Sequence, residues 1–250
     1  MKKIVNIFFL SLLFTCFYSC EIDNYAAPDA TIQGQVYDND GNALETGQGK
    51  VNMFIRINEI SYAHGDSNIT VLNQDLNMMQ DGSFENTKLF KGTYLVWPFQ
   101  GCFYPVDKAD YQTIELKSGK TTKVQFTVIP YLTLEWVKEP YQDTDGFIKA
   151  TFKFRRNAKD GVAMPNLVSA KLFVSNSIKC GDNADGRYTD NDVAITNTQE
   201  GQEIALKSKD KIWYTQKLWL RIGAKCNDAD QKYCFTSIKT VDANGFGAPN

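Results

Sequence analysis

Apolar and polar residues alternate with a period of two along much of this chain, and the alternating runs are short. The first, over residues 31–38, puts Ile32 and Val36 on one face and stops at Asn39-Asp40-Gly41-Asn42. Period two marks a strand with one buried face, and Asn, Asp and Gly are turn formers. Further strands are predicted over 51–57, 67–72, 83–88, 93–99, 111–116 and 122–128, with turns at Asp81-Gly82, Lys91-Gly92 and Ser118-Gly119-Lys120. Strands punctuated about every 8–12 residues predict a β-sandwich.

A second series begins after Ile129-Pro130. Residues 131–137 form its first strand. Residues 147–154 alternate most clearly, with Ile148, Ala150, Phe152 and Phe154 on one face and Lys149, Thr151 and Lys153 on the other. Residues 167–174 repeat the pattern with Val168, Ala170, Leu172 and Val174 inward. A polar, Gly- and Asp-rich loop fills 176–191, and a short strand covers 203–206. Residues 213–222 and 232–241 predict a closing hairpin around 227–231. The fold class is therefore all-β, with two tandem β-sandwich domains over residues 30–129 and 130–250. Trp136 and Trp219 fall within strand patterns and are expected in the core.

The N-terminus breaks this pattern. Lys2 and Lys3 precede an apolar run from Ile4 to Phe14. That run is shorter than the roughly 20 residues needed to cross a membrane and has the layout of an export leader. It is followed by Phe17-Tyr18-Ser19-Cys20, where a small residue directly before Cys resembles a bacterial lipobox; Leu13-Phe14-Thr15-Cys16 competes for the role. Cys20 leaves the longer apolar run, and Ser19 is the better residue for cleavage. The expectation is a leader over 1–19, lipidation at Cys20, and a tether over 20–29. Glu21 and Asp23, just after Cys20, resemble an export signal of surface lipoproteins.

Composition adds exclusions. The chain of 250 residues has a formal charge of −2 and shows no basic block, so no nucleic-acid partner is expected. Its 16 Phe, 12 Tyr and 4 Trp can fill two cores. Beyond Cys16 and Cys20 lie Cys102, Cys180, Cys226 and Cys234, for which export permits oxidation. Four cysteines allow three complete pairings. The predicted hairpin favours Cys226–Cys234, with four unpaired buried thiols as the alternative.

The first unit resembles carboxypeptidase-regulatory-like, transthyretin-type domains through Ile32-x-Gly34-x-Val36-x-Asp38, Gly41, Asp81-Gly82-Ser83-Phe84 and Gly92-Thr93-Tyr94. In these motifs the glycines are expected at positive φ in turns. The mature chain resembles Bacteroidetes lipoproteins of the domain of unknown function 3823 family. The matching residues are Asp23-Asn24-Tyr25, Pro28 to Ile32 with Gly34, then Leu220-Arg221-Ile222-Gly223-Ala224 and Tyr233. The resemblance implies a transthyretin-like domain followed by an immunoglobulin-like or fibronectin-III-like one. It also implies an outer-membrane, surface-facing lipoprotein serving a SusC/SusD-type polysaccharide uptake system. It supplies no catalytic residues.

Candidate chemistry is sparse. His64 is the sole histidine and sits in a predicted loop, so triad catalysis has one candidate base and multi-histidine zinc sites are excluded. No metal or cofactor is assigned. The stretch 182–192 is dense in oxygen ligands that could suit calcium, but turn formation explains the same residues. Trp97 and the pair Trp213-Tyr214 lie near predicted strand ends and are the candidate glycan-stacking residues, because an aromatic face suits the apolar face of a pyranose. The leading reading is a non-catalytic glycan-binding or scaffold lipoprotein. A fimbrial or adhesion subunit is the alternative, and an enzyme with paired carboxylates is third.

Overall fold

The computed structural model describes residues 26–181 and 184–248. The leader, Cys16, Cys20 and the first part of the tether lie outside the described residues, as do Asp182 and Asn183.

Seven strands build the first sandwich: β1 (Ala30–Tyr37), β2 (Gly49–Asn58), β3 (Asn73–Met78), β4 (Ser83–Leu89), β5 (Gly92–Phe99), β6 (Gln112–Leu116) and β7 (Thr121–Thr127). They form one sheet in the order β4-β1-β7 and another in the order β3-β2-β5-β6. Only β1 and β7 run parallel. Ile32, Val36, Ile55, Ile57, Phe84 and Val96 meet between the sheets, as the alternation requires.

The strand expected over 67–72 is instead exposed loop, and β3 begins only at Asn73. The inward residues of β3 are Leu76 and Met78, hidden in the polar run Asn-Gln-Asp-Leu-Asn-Met, while Ile69 and Leu72 face solvent. Two glycines of the transthyretin-like motif, Gly41 and Gly82, do sit at positive φ, whereas Gly34 and Gly92 do not. Gly34 lies mid-strand because a Cβ there would come within 2.3 Å of Phe84 Cζ and 2.5 Å of the Val124 carbonyl oxygen. Gly34→Ala is expected to destabilise the fold by about 1–3 kcal/mol through overpacking, read as a lower denaturant midpoint.

The second sandwich pairs β8 (Leu132–Gln142), β9 (Ile148–Arg156) and β12 (Ile204–Lys207) in one sheet. The other sheet holds β10 (Leu167–Ser175), β11 (Val193–Ala194), β13 (Gln216–Cys226), β14 (Tyr233–Phe235) and β15 (Lys239–Ala243). Ile148, Ala150, Phe152 and Phe154 are all buried as expected. Val168 is not: the register of β10 shifts between Leu167 and Ser169, so Leu167 turns inward and Val168 is exposed. Trp136 and Trp219 are half-buried against core clusters.

Strand direction gives the first sandwich two distinct poles. At one pole β1, β3, β5 and β7 begin and β2, β4 and β6 end, as the pairings Ala30↔Leu89, Thr31↔Thr121, Asn58↔Asn73 and Gly92↔Leu116 record. At the other pole the first sandwich meets the outer face of the β10-β13-β14 sheet.

Three kinds of contact close this seam. Cys102 is disulfide-bonded to Cys234, 132 positions away, with a Cα separation of 5.2 Å. Asn52 donates through Nδ2 to the Tyr233 carbonyl (2.9 Å) and accepts from the Tyr233 amide (3.1 Å). Arg221, fully buried, donates to the Thr46 carbonyl (2.6 Å), the Thr236 carbonyl (3.0 Å) and Glu45 Oε2 (2.7 Å), and lies 4.3 Å from the Phe235 ring centroid.

The Cys226–Cys234 bridge expected from the hairpin is thus corrected. Cys234 stands opposite Ala224, so Cys226 is its diagonal neighbour two residues along. Diagonal neighbours on paired strands are about 7–8 Å apart, beyond comfortable disulfide reach. Cys226 and Cys180 are free and buried, and burial pushes each thiol up to about 12.

Candidate functional site

The seam encloses a cleft of about 350 Å³ lined by both sandwiches. Four carboxylates border it, and each is already held. Asp38 accepts from the amides of Asp40 (2.9 Å) and Asn42 (2.8 Å), which shapes the turn after β1. Asp40 pairs with Arg155, Glu45 with Arg221, and Glu135 with Lys153. Burial raises the Glu45 carboxyl above its ordinary range, against the lowering pull of Arg221. A glycosidase needs one such acid and a second carboxylate placed to attack or to activate water. Here the neighbours of Glu45 are committed to Arg155, Lys153 and backbone amides, so the cleft reads as the wall of a structural seam.

The three candidate aromatics do not come together. Trp97 lies within β5 on the outer face of the first sandwich and is 7% exposed. Tyr111 stacks on it at 4.4 Å between centroids and 6° between planes, which occupies a ring face a sugar would need. Arg56 continues the same surface: it forks onto Asp75 (2.8 and 3.1 Å) and lies 3.8 Å from the Phe99 ring centroid. Trp97 is therefore a packed element of the sheet face and presents no free platform.

Trp213 and Tyr214 are placed differently. They precede β13 on a connection, because that strand begins at Gln216 and not at 213 as expected. Ile212, just before them, is fully buried and pins the segment to the core. Trp213 is half-buried and fixed on three sides. Its Nε1 donates to Asp210 Oδ2 (2.9 Å), its amide donates to Tyr188 Oη (3.2 Å), and its ring meets the Tyr188 ring edge-on at 6.0 Å. Tyr214 projects outward, 56% exposed, with its ring at 78° to that of Trp213.

The polar loop 176–191 supplies the rest of this surface. Arg187 lies 5.5 Å from the Trp213 ring centroid and donates from Nε to both oxygens of Asp185 (2.9 and 3.0 Å). The hydrogen bond from Arg187 holds the Asp185 carboxyl below its ordinary range. The result is a rigid aromatic pair beside a fixed guanidinium and a fixed carboxylate. Ring faces pack on apolar C–H groups while planar polar side chains bind hydroxyls, the mixture a saccharide requires. The sequence reading covered Asp185 only within the oxygen-rich stretch 182–192 and did not single out Arg187, since nothing in a Gly- and Asp-rich loop announces which residues meet Trp213.

Asp192, at the end of the same oxygen-rich stretch, is also engaged. Asp192 accepts from Tyr233 Oη (2.6 Å) and pairs with Lys225 (2.7 Å) and Lys171 (3.3 Å). Among the described residues, no group of three His, Cys, Asp or Glu side chains is arranged to hold a metal ion. His64 is exposed at the end of a 3-10 turn.

Residues 30–129 match the family described as "Protein of unknown function (DUF3823) N-terminal domain". No curated protein matches the chain. Among solved structures, a DUF3823 family protein of Bacteroides uniformis is 27% identical, with a TM-score of 0.73 over 86% of this chain and 99% of that one. A second Bacteroides uniformis protein, described as a candidate carbohydrate binding protein, is 20% identical at a TM-score of 0.63, over 86% of this chain and 99% of that one. A DUF3823 family protein of Parabacteroides merdae is 21% identical at 0.62, over 86% and 100%. The chain is thus similar to DUF3823 family proteins: residues 30–129 match the family's N-terminal domain, and the likeness in fold to the Bacteroides uniformis structure runs through both sandwiches.

Proposed function

We propose that this protein is a non-catalytic carbohydrate-binding lipoprotein, anchored through Cys20 in the outer membrane and facing the cell surface, where it serves a SusC/SusD-type polysaccharide uptake system. The observation that carries the reading is the surface built from Trp213, Tyr214, Arg187 and Asp185, pre-ordered by Asp210 and Tyr188. Pre-ordering matters because a site that is already rigid loses little side-chain entropy on binding. The carbohydrate-binding description of one structural neighbour points the same way. The anchor rests on the lipobox-like Ser19-Cys20.

Calorimetry and affinity electrophoresis against a polysaccharide panel test the proposal. The mature protein is expected to bind at least one glycan, and Tyr214→Ala to weaken that binding about tenfold, the worth of one aromatic contact of roughly 1.4 kcal/mol. Tyr214 is exposed, so the variant keeps its fold. Failure to bind any member of the panel, or equal binding by the variant, would sink the assignment.

A further inference from the structure

We infer that the pole of the first sandwich where β1 begins is a lipid-contacting surface that rests on the membrane holding the anchor. The inference relies on the Cys20 anchor proposed above and adds a second attachment to it.

The chain enters the fold at this pole. Asp29 accepts a hydrogen bond from Ser118 Oγ (2.7 Å) in the turn between β6 and β7, and Ala30 pairs with Leu89 at the end of β4. Nine residue steps separate Cys20 from Asp29, at most about 30 Å when fully extended. The pole is therefore held close to the bilayer, and the second sandwich lies beyond the opposite pole.

This end also carries exposed apolar side chains. Among the described residues, five of the thirteen exposed large hydrophobic side chains are Ile60, Tyr62, Ile69, Leu72 and Phe90. Leu72 is 78% exposed and Tyr62 59%. They sit in the β2–β3 loop and the β4–β5 turn, which are tied together: the Thr93 amide donates to Ser61 Oγ (2.9 Å), and Tyr94 Oη donates to Glu59 and to the Phe90 carbonyl. Single exposed apolar residues are ordinary, whereas a cluster at one end marks a contact surface. Lys88, Lys91 and Lys120 are exposed at the same end. Aliphatic stems and tyrosine at an interface, with ammonium groups reaching the headgroups, is the composition of a surface that lies on a bilayer.

The lipidated full-length protein, reconstituted in phosphatidylcholine–phosphatidylglycerol vesicles, gives the test. An environment-sensitive dye on Leu72→Cys is expected to shift blue and to be quenched by nitroxide-labelled lipid, while the same dye on Tyr214→Cys is not. Equal, water-like signals at both positions would overturn the inference, and so would protection of the pole by a bound protein without lipid quenching. The unlipidated Cys20→Ser chain separates this claim from the anchor. It is expected to float weakly with vesicles, and Tyr62→Ser with Leu72→Ser to reduce the floated fraction about tenfold. Equal flotation rejects the lipid-contacting pole. Lack of fatty acid on Cys20 by mass spectrometry rejects the anchor alone.

Discussion

Replacing Cys102 and Cys234 together with alanine is expected to destabilise the folded chain by roughly 5 kcal/mol, the largest effect of any substitution discussed here. The bridge closes a loop of 132 positions, and the chain-entropy account assigns about 5 kcal/mol to loops of that length. The bond also joins the segment after β5 to β14 across the seam, so its loss releases one sandwich from the other as well as loosening the unfolded chain. Denaturant unfolding measures this directly. The oxidised protein should unfold in one transition, and the double variant at a lower midpoint, with reductant shifting the parent toward the variant and leaving the variant unchanged. In the folded chain burial keeps the Cys180 and Cys226 thiols protonated and hence poor nucleophiles, and unfolding at about pH 5 keeps them protonated once they are exposed. An unchanged midpoint under reductant would contradict the bridge.

The second large effect is expected at Arg221. It is fully buried, and its guanidinium satisfies two backbone carbonyls and the Glu45 carboxylate across the seam. Arg221→Ala removes one member of a buried pair and leaves the other members without a donor, a loss of about 3–5 kcal/mol. The deficit carries a pH signature. Burial raises the Glu45 carboxyl above its ordinary value of 4.5, and Arg221 opposes that rise. The folded state therefore binds more protons than the unfolded state within this window. The contribution of Glu45 is most favourable below 4.5 and is lost as pH rises through its folded value. Without Arg221 the carboxyl rises further, so the window widens upward. The variant should be weakest relative to the parent at neutral pH and should recover part of the difference toward pH 4.5. Adding Glu45→Gln to Arg221→Ala should restore part of the stability at neutral pH. A deficit independent of pH, measured by unfolding at matched ionic strength, would show that the guanidinium acts through packing alone.

The sequence pattern resolved the sandwiches well and the seam poorly. In β13, Leu218, Leu220 and Ile222 are buried in the core of the second sandwich, and Arg221 lies on the opposite face, where solvent is the ordinary expectation. That face is covered by the first sandwich, and Phe173, Arg221 and Phe235 are buried there. Arg221 had a signal in the sequence, since Leu220-Arg221-Ile222 is among the residues that carry the family resemblance. The signal named the residue without its partner, because Glu45 lies 176 positions away. The candidate site divides the same way. Trp213 and Tyr214 were legible as aromatics near a strand end, while Asp185 and Arg187 were not, and Trp97 proved to be covered by Tyr111.

Local alternation and turn residues determined, without help, that this is an all-β chain of two sandwiches and which face of most strands is buried. That information is local, since a period of two depends only on a residue's immediate neighbours. The tertiary structure alone decided that Cys234 bonds to Cys102, that Leu72 and its neighbours form a loop at the tether's pole and not a strand, and that Arg221 is buried. Each of these depends on which distant surfaces touch, and strand periodicity says that a face is apolar without naming what covers it.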